Sequence, residues 1–450
     1  MAKLFGTDGI RGEAYAPPLD RATVQHVGRA LANELSPDAP RILIGRDTRS
    51  SGADLENWLA TGIAASGGTS VFAGVLPTPA VAFLTRDQGF DAGVVISASH
   101  NPYHDNGIKV FSASGVKSSE AFEEAIELAL SVAGAGAPEV PEESGLSKTP
   151  SLHFESLYLE HLKQSLGDDV SLPPLKLALD CANGACYRVG PKLLESIGLE
   201  PILLATEPDG ENINRDCGST HLDGLAEAVR RHACDFGAAL DGDGDRLLLL
   251  DSTGRSVNGD AMLLMCARRL KKEGRLTGSG VVATVMSNMA LEVSLAQEDI
   301  TLYRTQVGDK FVAQDMDRRN IIIGGEQSGH IIFSDYAATG DGLLTLMQVL
   351  RTIAIERDTL DRLAELDPFP QVLVNVSVSS RPDVRTVPEI TQAIEAAEAQ
   401  LDGRGRVLIR YSGTEPLLRI MMEGPDSEEI ESLTATVRDA VESTIGSSRD

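Results

Sequence analysis

Four times in 450 residues an apolar run of strand length stops abruptly on a loop of glycine, serine or aspartate: after Ile96, Leu240, Ile323 and Ile409. The runs themselves (AGVVIS at 92–97, FGAAL within 236–251, NIII before Gly324) are continuous rather than alternating. A strand that is apolar on both faces must be covered on both, which points to parallel sheets flanked by helices. Helix-like stretches supply that cover. GADLENWLATGIAASG (52–67) follows the strand-like RILIG (41–45), and SSEAFEEAIELALSVA (118–133) opens on a serine cap. The alternation predicts βα units around a buried parallel sheet. In open α/β sheets ligands bind beyond the carboxyl ends of the strands, so the four loops are expected around one cleft.

The same pattern recurs along the chain. A Gly/Pro/Ser/Glu-rich stretch at 134–151 is expected to be a linker. A second block holds LKLALDCANGA (175–185) and FGAALDGDGDRLLLLD (236–251), and a third holds GVVATVMSN (280–288) and NIIIGGEQSGHIIF (320–333). After LDPFPQ (366–371) comes a smaller piece of mixed strands and helices, read as α+β. FDAGVVISAS, CDFGAALDGD and RNIIIGGEQSGH share one outline, a faint internal echo.

The formal net charge of −26 repels phosphate backbones and argues against nucleic acid as a partner. An anionic ligand would need a local cluster of cations and backbone N–H groups. Cysteines at 181, 186, 217, 234 and 266 form no CxxC pair, and their odd number suggests reduced thiols in a cytoplasm. The opening MAKLFGTDGIRG has no apolar signal region, and no run reaches the ~20 apolar residues of a membrane span.

The loops carry the chemistry. LDGDGDR puts Asp241, Asp243 and Asp245 at alternate positions; on an extended loop these would point the same way. Three converging carboxylates repel unless a hard dication joins them, and oxygen ligands favour magnesium or calcium. An EF-hand is excluded, since its sixth and twelfth positions would be Arg246 and Ser252. GEQSGH (325–330) offers Glu326, Ser328 and His330 for sugar hydroxyls and proton transfer, and it is not a G-x-S-x-G elbow. RYSGTEPLLR (410–419) gathers Arg410, Ser412, Gly413, Thr414 and Arg419, a set that can wrap a phosphate. FGTDGIRG (5–12) carries Asp8 and Arg11, and Lys109 follows Ser99 by ten residues. In SASHNP, Ser97, Ser99 and His100 invite a nucleophile reading. There is no Walker A pattern, dinucleotide fingerprint or HExxH.

SASHNP, DGDGDR, GEQSGH and RYSGTEPLLR, in this order and across essentially the whole chain, resemble the α-D-phosphohexomutases. GEQSGH stands where the mannose/glucose branch usually carries GEMSGH, so the resemblance implies the glucosamine branch. It implies three related α/β domains (1–145, 146–254, 255–367) and a smaller α+β domain (368–450) around a central cleft. It further implies interconversion of glucosamine 6-phosphate and glucosamine 1-phosphate, through a phosphoserine and glucosamine 1,6-bisphosphate, toward UDP-N-acetylglucosamine. Ser99 would carry the phosphoryl group. Ser99, Asp241, Asp243 and Asp245 would hold one Mg2+. Arg11, Lys109 and His330 would do acid–base or charge-stabilising work. Arg246, Glu326 and Ser328 would meet the substrate, and the 410–419 loop would hold the idle phosphate. A homodimer paired through the first domain is implied as well. Two other classes fit parts of the pattern: a magnesium phosphatase with an aspartyl nucleophile, and a non-catalytic metal- or sugar-binding protein.

Overall fold

The computed structural model describes residues 4–6, 8–35, 39–132, 152–412 and 415–446. The expected linker at 134–151 lies outside these residues, as do Gly413 and Thr414. Backbone contacts divide the chain into two compact units, Met1–Thr284 with Tyr303–Glu365, and Val285–Leu302 with Leu366–Asp450.

The larger unit carries three sheets. The first holds β1 (Phe5–Gly6), β2 (Gly9–Glu13), β3 (Arg41–Arg46), β4 (Thr69–Val75), β5 (Ala92–Ile96) and β6 (Asp105–Ser112), in the order β1-β2-β6-β5-β3-β4. The second holds β7 (Leu177–Asp180), β8 (Ile202–Leu204), β9 (Phe236–Leu240), β10 (Leu247–Leu250) and β11 (Ser256–Val257), in the order β11-β10-β9-β7-β8. The third holds β12 (Gly280–Thr284), β13 (Thr301–Thr305), β14 (Ile323–Gly325) and β15 (Ile331–Phe333), in the order β13-β12-β14-β15. As their unbroken apolar runs require, β5, β7, β9 and β12 are buried at every residue.

The expectation of parallel sheets needs correcting. β3 pairs parallel with β4 and β5, β7 with β8 and β9, and β12 with β14. The next pairing in each sheet is antiparallel: β5 with β6, β9 with β10, and β14 with β15. Loop length explains this. A parallel crossover takes a dozen or more residues, while 97–104, 241–246 and 326–330 are far shorter, so the chain must turn straight back. The three echoing segments are thus the same device, a buried strand followed by a polar turn-back.

A second correction concerns where strands end. β14 does not stop at Ile323; Gly324 and Gly325 pair with Ile332 and Ile331. At Gly324 a Cβ would lie 2.6 Å from Met316 Sδ and 2.8 Å from the Val282 oxygen, so close packing selects glycine.

In the smaller unit β16 (Gln371–Ser377), β17 (Arg406–Tyr411) and β18 (Leu417–Glu423) form an antiparallel sheet in the order β16-β18-β17. Helices Pro388–Leu401 and Ser427–Ile445 cover it, burying Ile390, Ile394, Leu418, Ile420, Val437 and Val441. Among the described residues no helix is long and apolar enough to cross a membrane. All five cysteines are buried and unpaired.

Candidate active site

The turn after β5 is built around Ser99. This residue is 1% exposed and adopts φ +52°, a left-handed conformation that side chains other than glycine adopt reluctantly. Such a backbone persists only when its surroundings over-determine it. Here they do. Ser97 Oγ accepts the Ser99 N–H at 3.0 Å and donates to Asp47 Oδ2 at 2.5 Å. The Arg49 guanidinium donates to the carbonyl oxygens of Ser99, Asn101 and Asp105 at 2.9 Å each, and also to that of Pro102. Asp47 Oδ2 holds Arg49 Nε at 2.9 Å, and Asn214 Nδ2 reaches the same Ser99 oxygen at 2.9 Å. With its backbone fixed, Ser99 directs its hydroxyl to Asp241 Oδ2 at 2.5 Å and lies 3.2 Å from His100 Nδ1.

The turn after β9 meets that hydroxyl. Asp241, Asp243 and Asp245 are at most 4% exposed, and one oxygen of each lies within 4.8 Å of the others. They converge through a tight turn, with Gly244 at φ +75°, and not through the alternation of an extended loop. Gly242 permits the approach, since a Cβ there would sit 2.5 Å from the Ser99 carbonyl oxygen. Asp243 Oδ2 accepts from Thr78 Oγ1 at 2.6 Å and from Lys109 Nζ at 2.8 Å, while Asp241 Oδ1 takes the Arg246 amide at 3.2 Å. Oδ1 of Asp243 and Oδ1 of Asp245 are buried with no hydrogen-bond partner. Burial, with Asp245 and Asp243 beside it, pushes the Asp241 carboxyl well above the usual range. Asp245 is held well below it: burial acts upward, but Lys109 and His330 outweigh burial. Orphaned buried oxygens next to a carboxylate that resists ionising form a donor set that fits a hard divalent cation.

Lys109 on β6 is 2% exposed, 2.8 Å from Asp243, 3.0 Å from Asp8 and 3.5 Å from Asp245. Burial favours a neutral amine, yet Asp243, Asp8 and Asp245 raise its proton affinity well above normal. Arg11 on β2 joins this group through Asp8, to which its guanidinium donates. After β14, His330 turns Nδ1 to Asp245 Oδ2 at 3.6 Å. Its Nε2 faces both the Gly340 amide at 3.0 Å and Asp309 Oδ2 at 3.4 Å. In the neutral ring the Gly340 amide donates to Nε2 and the ring proton sits on Nδ1, toward Asp245. Burial works against the charged ring, but Asp245 and Asp309 outweigh it and raise its proton affinity, so the ring can also carry both protons and face Asp309 with Nε2–H. On the same turn Glu326 Oε1 accepts the Gly308 amide at 3.1 Å, and Ser328 Oγ donates to Glu326 Oε2 at 3.3 Å. Arg246 is half-buried, with Nε 3.9 Å from Asp245 Oδ1.

In the smaller unit Arg410 and Arg419 do not share a loop. Arg410 is on β17 and Arg419 on β18, directly opposite each other. The strands run past Ile409 to Tyr411, which pairs with Leu418, so the turn is shorter than expected. Burial and the facing Arg419 lower the proton affinity of Arg410, and Arg419 Nε is buried without a hydrogen-bond partner. Two like charges directly opposite destabilise a strand pair unless an anion lies between them. Ser412 is buried beside them, its Oγ accepting the Glu415 amide at 3.3 Å.

Four family models match in sequence order: phosphoglucomutase/phosphomannomutase alpha/beta/alpha domains I (residues 2–132), II (156–254) and III (258–369), and the C-terminal domain (373–440). The phosphoglucosamine mutase of Syntrophotalea carbinolica is 45% identical over 449 residues, covering 99% of this chain and 98% of that protein. The chain belongs to the phosphoglucomutase/phosphomannomutase family, among its phosphoglucosamine mutases. Solved structures share its fold. A phosphoglucomutase/phosphomannomutase family protein of Burkholderia thailandensis superposes with TM-score 0.79 at 23% identity, covering 98% of this chain and 97% of that one. The Aspergillus fumigatus N-acetylphosphoglucosamine mutase, solved with GlcNAc-6P and magnesium, superposes with TM-score 0.66 at 18% identity, covering 97% and 95%.

In this member of the family, Ser99, Lys109, Asp241, Asp243, Asp245 and His330 form one contact network, and Arg11 joins it through Asp8. Several members of the network escaped sequence reasoning: Asp47, Arg49, Thr78, Asn214, Asp309 and, through its contacts with Asp8 and Asp309, Lys117. A signal existed for the first two. RILI (41–44) is a further apolar strand that ends on a polar loop, GRDTRS (45–50).

Proposed function

We propose that the chain interconverts glucosamine 6-phosphate and glucosamine 1-phosphate by way of a phosphoserine at Ser99 and glucosamine 1,6-bisphosphate. The observation that carries this reading is the Ser99 hydroxyl, presented from a fixed left-handed turn to Asp241 with Lys109 and three carboxylates around it. A phosphate on Ser99 would bring about −2 charge into this group. Asp241, Asp243, Asp245 and the phosphoserine would hold one Mg2+, a reading supported by the magnesium bound in the Aspergillus enzyme. The ion would neutralise phosphoryl charge and lower the barrier to transfer.

The chain's own residues set up the rest. As the bond from phosphorus to Ser99 Oγ breaks, one to the sugar O1 forms, and the hydroxyl proton of O1 ends on Oγ. The phosphoryl group on O6 then returns to Ser99 by the reverse step. The bisphosphate must therefore turn over in the site. Lys109, already ionised, would balance charge on the moving group, with Arg11 and Arg246 as further cations. His330 would hold or move a proton through Nδ1. Glu326 and Ser328 would meet sugar hydroxyls, which lie similarly in both orientations. Arg410, Ser412, Gly413, Thr414 and Arg419 would hold the phosphate that is not reacting. We place this activity in the cytoplasm, supplying UDP-N-acetylglucosamine synthesis, in a homodimer.

Rates on glucosamine, glucose and mannose phosphates test the substrate. The glucosamine pair should give the highest kcat/KM, and a higher value for mannose 1-phosphate would overturn the assignment. Release of inorganic phosphate in place of isomerisation would favour an aspartyl phosphatase.

A further inference from the structure

Six largely buried side chains close a ring. Lys109 joins Asp8 at 3.0 Å and Asp245 at 3.5 Å. His330 joins Asp245 at 3.6 Å and Asp309 at 3.4 Å. Lys117 closes the circuit with short contacts to both Asp8 and Asp309. Three carboxylates thus alternate with three nitrogen bases. The arc of Lys109, Asp245 and His330 faces the Ser99 turn. The far arc of Asp8, Lys117 and Asp309 touches neither Ser99 nor the aspartate turn directly, except that Asp8 contacts Lys109.

Each far-arc residue is held by the local fold. Lys117 returns alongside β6 through a Phe111–Lys117 bridge, with the Ser118 amide on the Val110 oxygen at 2.9 Å. It is therefore tied to the same strand as Lys109. Asp309 opens the helix Asp309–Arg319. Its side chain is 13% exposed and that of Lys117 is 14% exposed. Both line a cavity of about 510 Å3 bounded also by Ser118, Met316 and Thr339. Two charges largely withdrawn from solvent at a cavity wall, outside every motif of the reaction, are costly to keep unless they serve something. What they contact is Asp8 and His330, and through these Lys109.

The geometry points to Lys117 and Asp309 as positioning residues for the phosphoryl transfer proposed above. Lys117 draws Asp8 and Asp309 to fixed places. Asp8 then fixes the Lys109 ammonium against Asp243, and Asp309 with the Gly340 amide fixes the plane of the His330 ring. The ring works as a frame, so that displacing its far side shifts its near side. The inference rests on the mutase reading of the Ser99 site.

The test is steady-state kinetics of the full chain on glucosamine 6-phosphate with magnesium and bisphosphate, comparing wild type, Lys117→Ala, Lys117→Arg and Asp309→Asn. Misplacing a catalytic group by about 1 Å costs on the order of 10²-fold, so Lys117→Ala and Asp309→Asn should each lose about that much kcat, with KM within about threefold. Lys117→Arg, which keeps the charge, should retain most of the activity. Ethylammonium can enter the cavity that Lys117 lines, and it should restore about tenfold of the kcat lost in Lys117→Ala without changing wild type. A folded Lys117→Ala with near-normal kcat, or one that ethylammonium leaves unchanged, overturns the frame. Should Lys117→Ala fail to fold, the same kcat-against-KM split in Asp309→Asn decides. A wild type without turnover overturns the mutase reading and the frame together, whereas an active wild type matched by its variants overturns the frame alone.

Discussion

Arg49 Nη2 donates to the Ser99 carbonyl oxygen at 2.9 Å, and the same guanidinium serves three further carbonyls of the 97–105 turn. Ser99 is thus gripped by its backbone while its hydroxyl is left for Asp241. Arg49 is 1% exposed, so nothing in solvent could replace these bonds.

Removing that grip should be severe. Arg49→Met would leave Asp47 as an unpaired buried charge and strip four carbonyls. A loss of about 3–5 kcal/mol in chemical denaturation is expected, together with loss of turnover. Arg49→Lys keeps the charge but not the planar fork; it should remain folded with kcat lower by at least about tenfold. An active Arg49→Met of normal stability would remove the grip from the account.

The acidic turn predicts a response to metal. Mg2+ binding only to the folded chain should raise its melting temperature, and ion at about 100 times Kd would add about 2.7 kcal/mol. Asp243→Asn should flatten this response, and excess chelator should abolish turnover. Calorimetry with and without Mg2+, alongside a rate assay in chelator, measures both effects.

Across β17 and β18, Arg410 and Arg419 face each other as like charges. Arg419→Ala should raise KM for glucosamine 6-phosphate by roughly 10–100-fold, as expected for removing a charged, forked phosphate contact, with a smaller change in kcat. An unchanged KM would move the phosphate site elsewhere.

Stability should also depend on pH through a residue remote from the chemistry. Glu56, in the helix Gly52–Ala65, is pushed from 4.5 up to about 7 by burial, with Arg46 3.5 Å away pulling the other way without prevailing. The folded chain therefore binds this proton more tightly than the unfolded chain does. The associated stability is fully present below about pH 4.5, declines as pH rises, and is gone above about pH 7. The effect is on the order of 3 kcal/mol at most. Glu56→Gln should remove this part of the slope between about pH 4.5 and pH 7 in denaturant titrations.

What the sequence disclosed follows from locality. Ser99, Asp241, Asp243, Asp245 and His330 were legible because each sits just past a buried strand, where a polar residue stands out against apolar neighbours. Asn214 and Asp309 were not, because their partners Ser99 and His330 lie far away along the chain or behind another turn. Lys117 was hidden for a different reason. A lone lysine after a hairpin is ordinarily solvated, and it is the pairing with Asp8 and with Asp309, at the start of the helix Asp309–Arg319, that makes it a largely buried ion. The antiparallel turn-backs could have been read from loop length alone. The shared hairpin of Arg410 and Arg419 could not, since one period-2 apolar strand looks much like the approach to a loop.

The most direct measurement concerns Ser99. The chain is incubated with glucosamine 1,6-bisphosphate labelled in its phosphates, and the peptide containing Ser99 is isolated and its mass determined. A phosphate on Ser99 that is passed on to added glucosamine 6-phosphate, and that disappears along with turnover in Ser99→Ala, is the predicted result. A Ser99→Ala chain that still interconverts the two sugar phosphates at near wild-type rate would contradict the account.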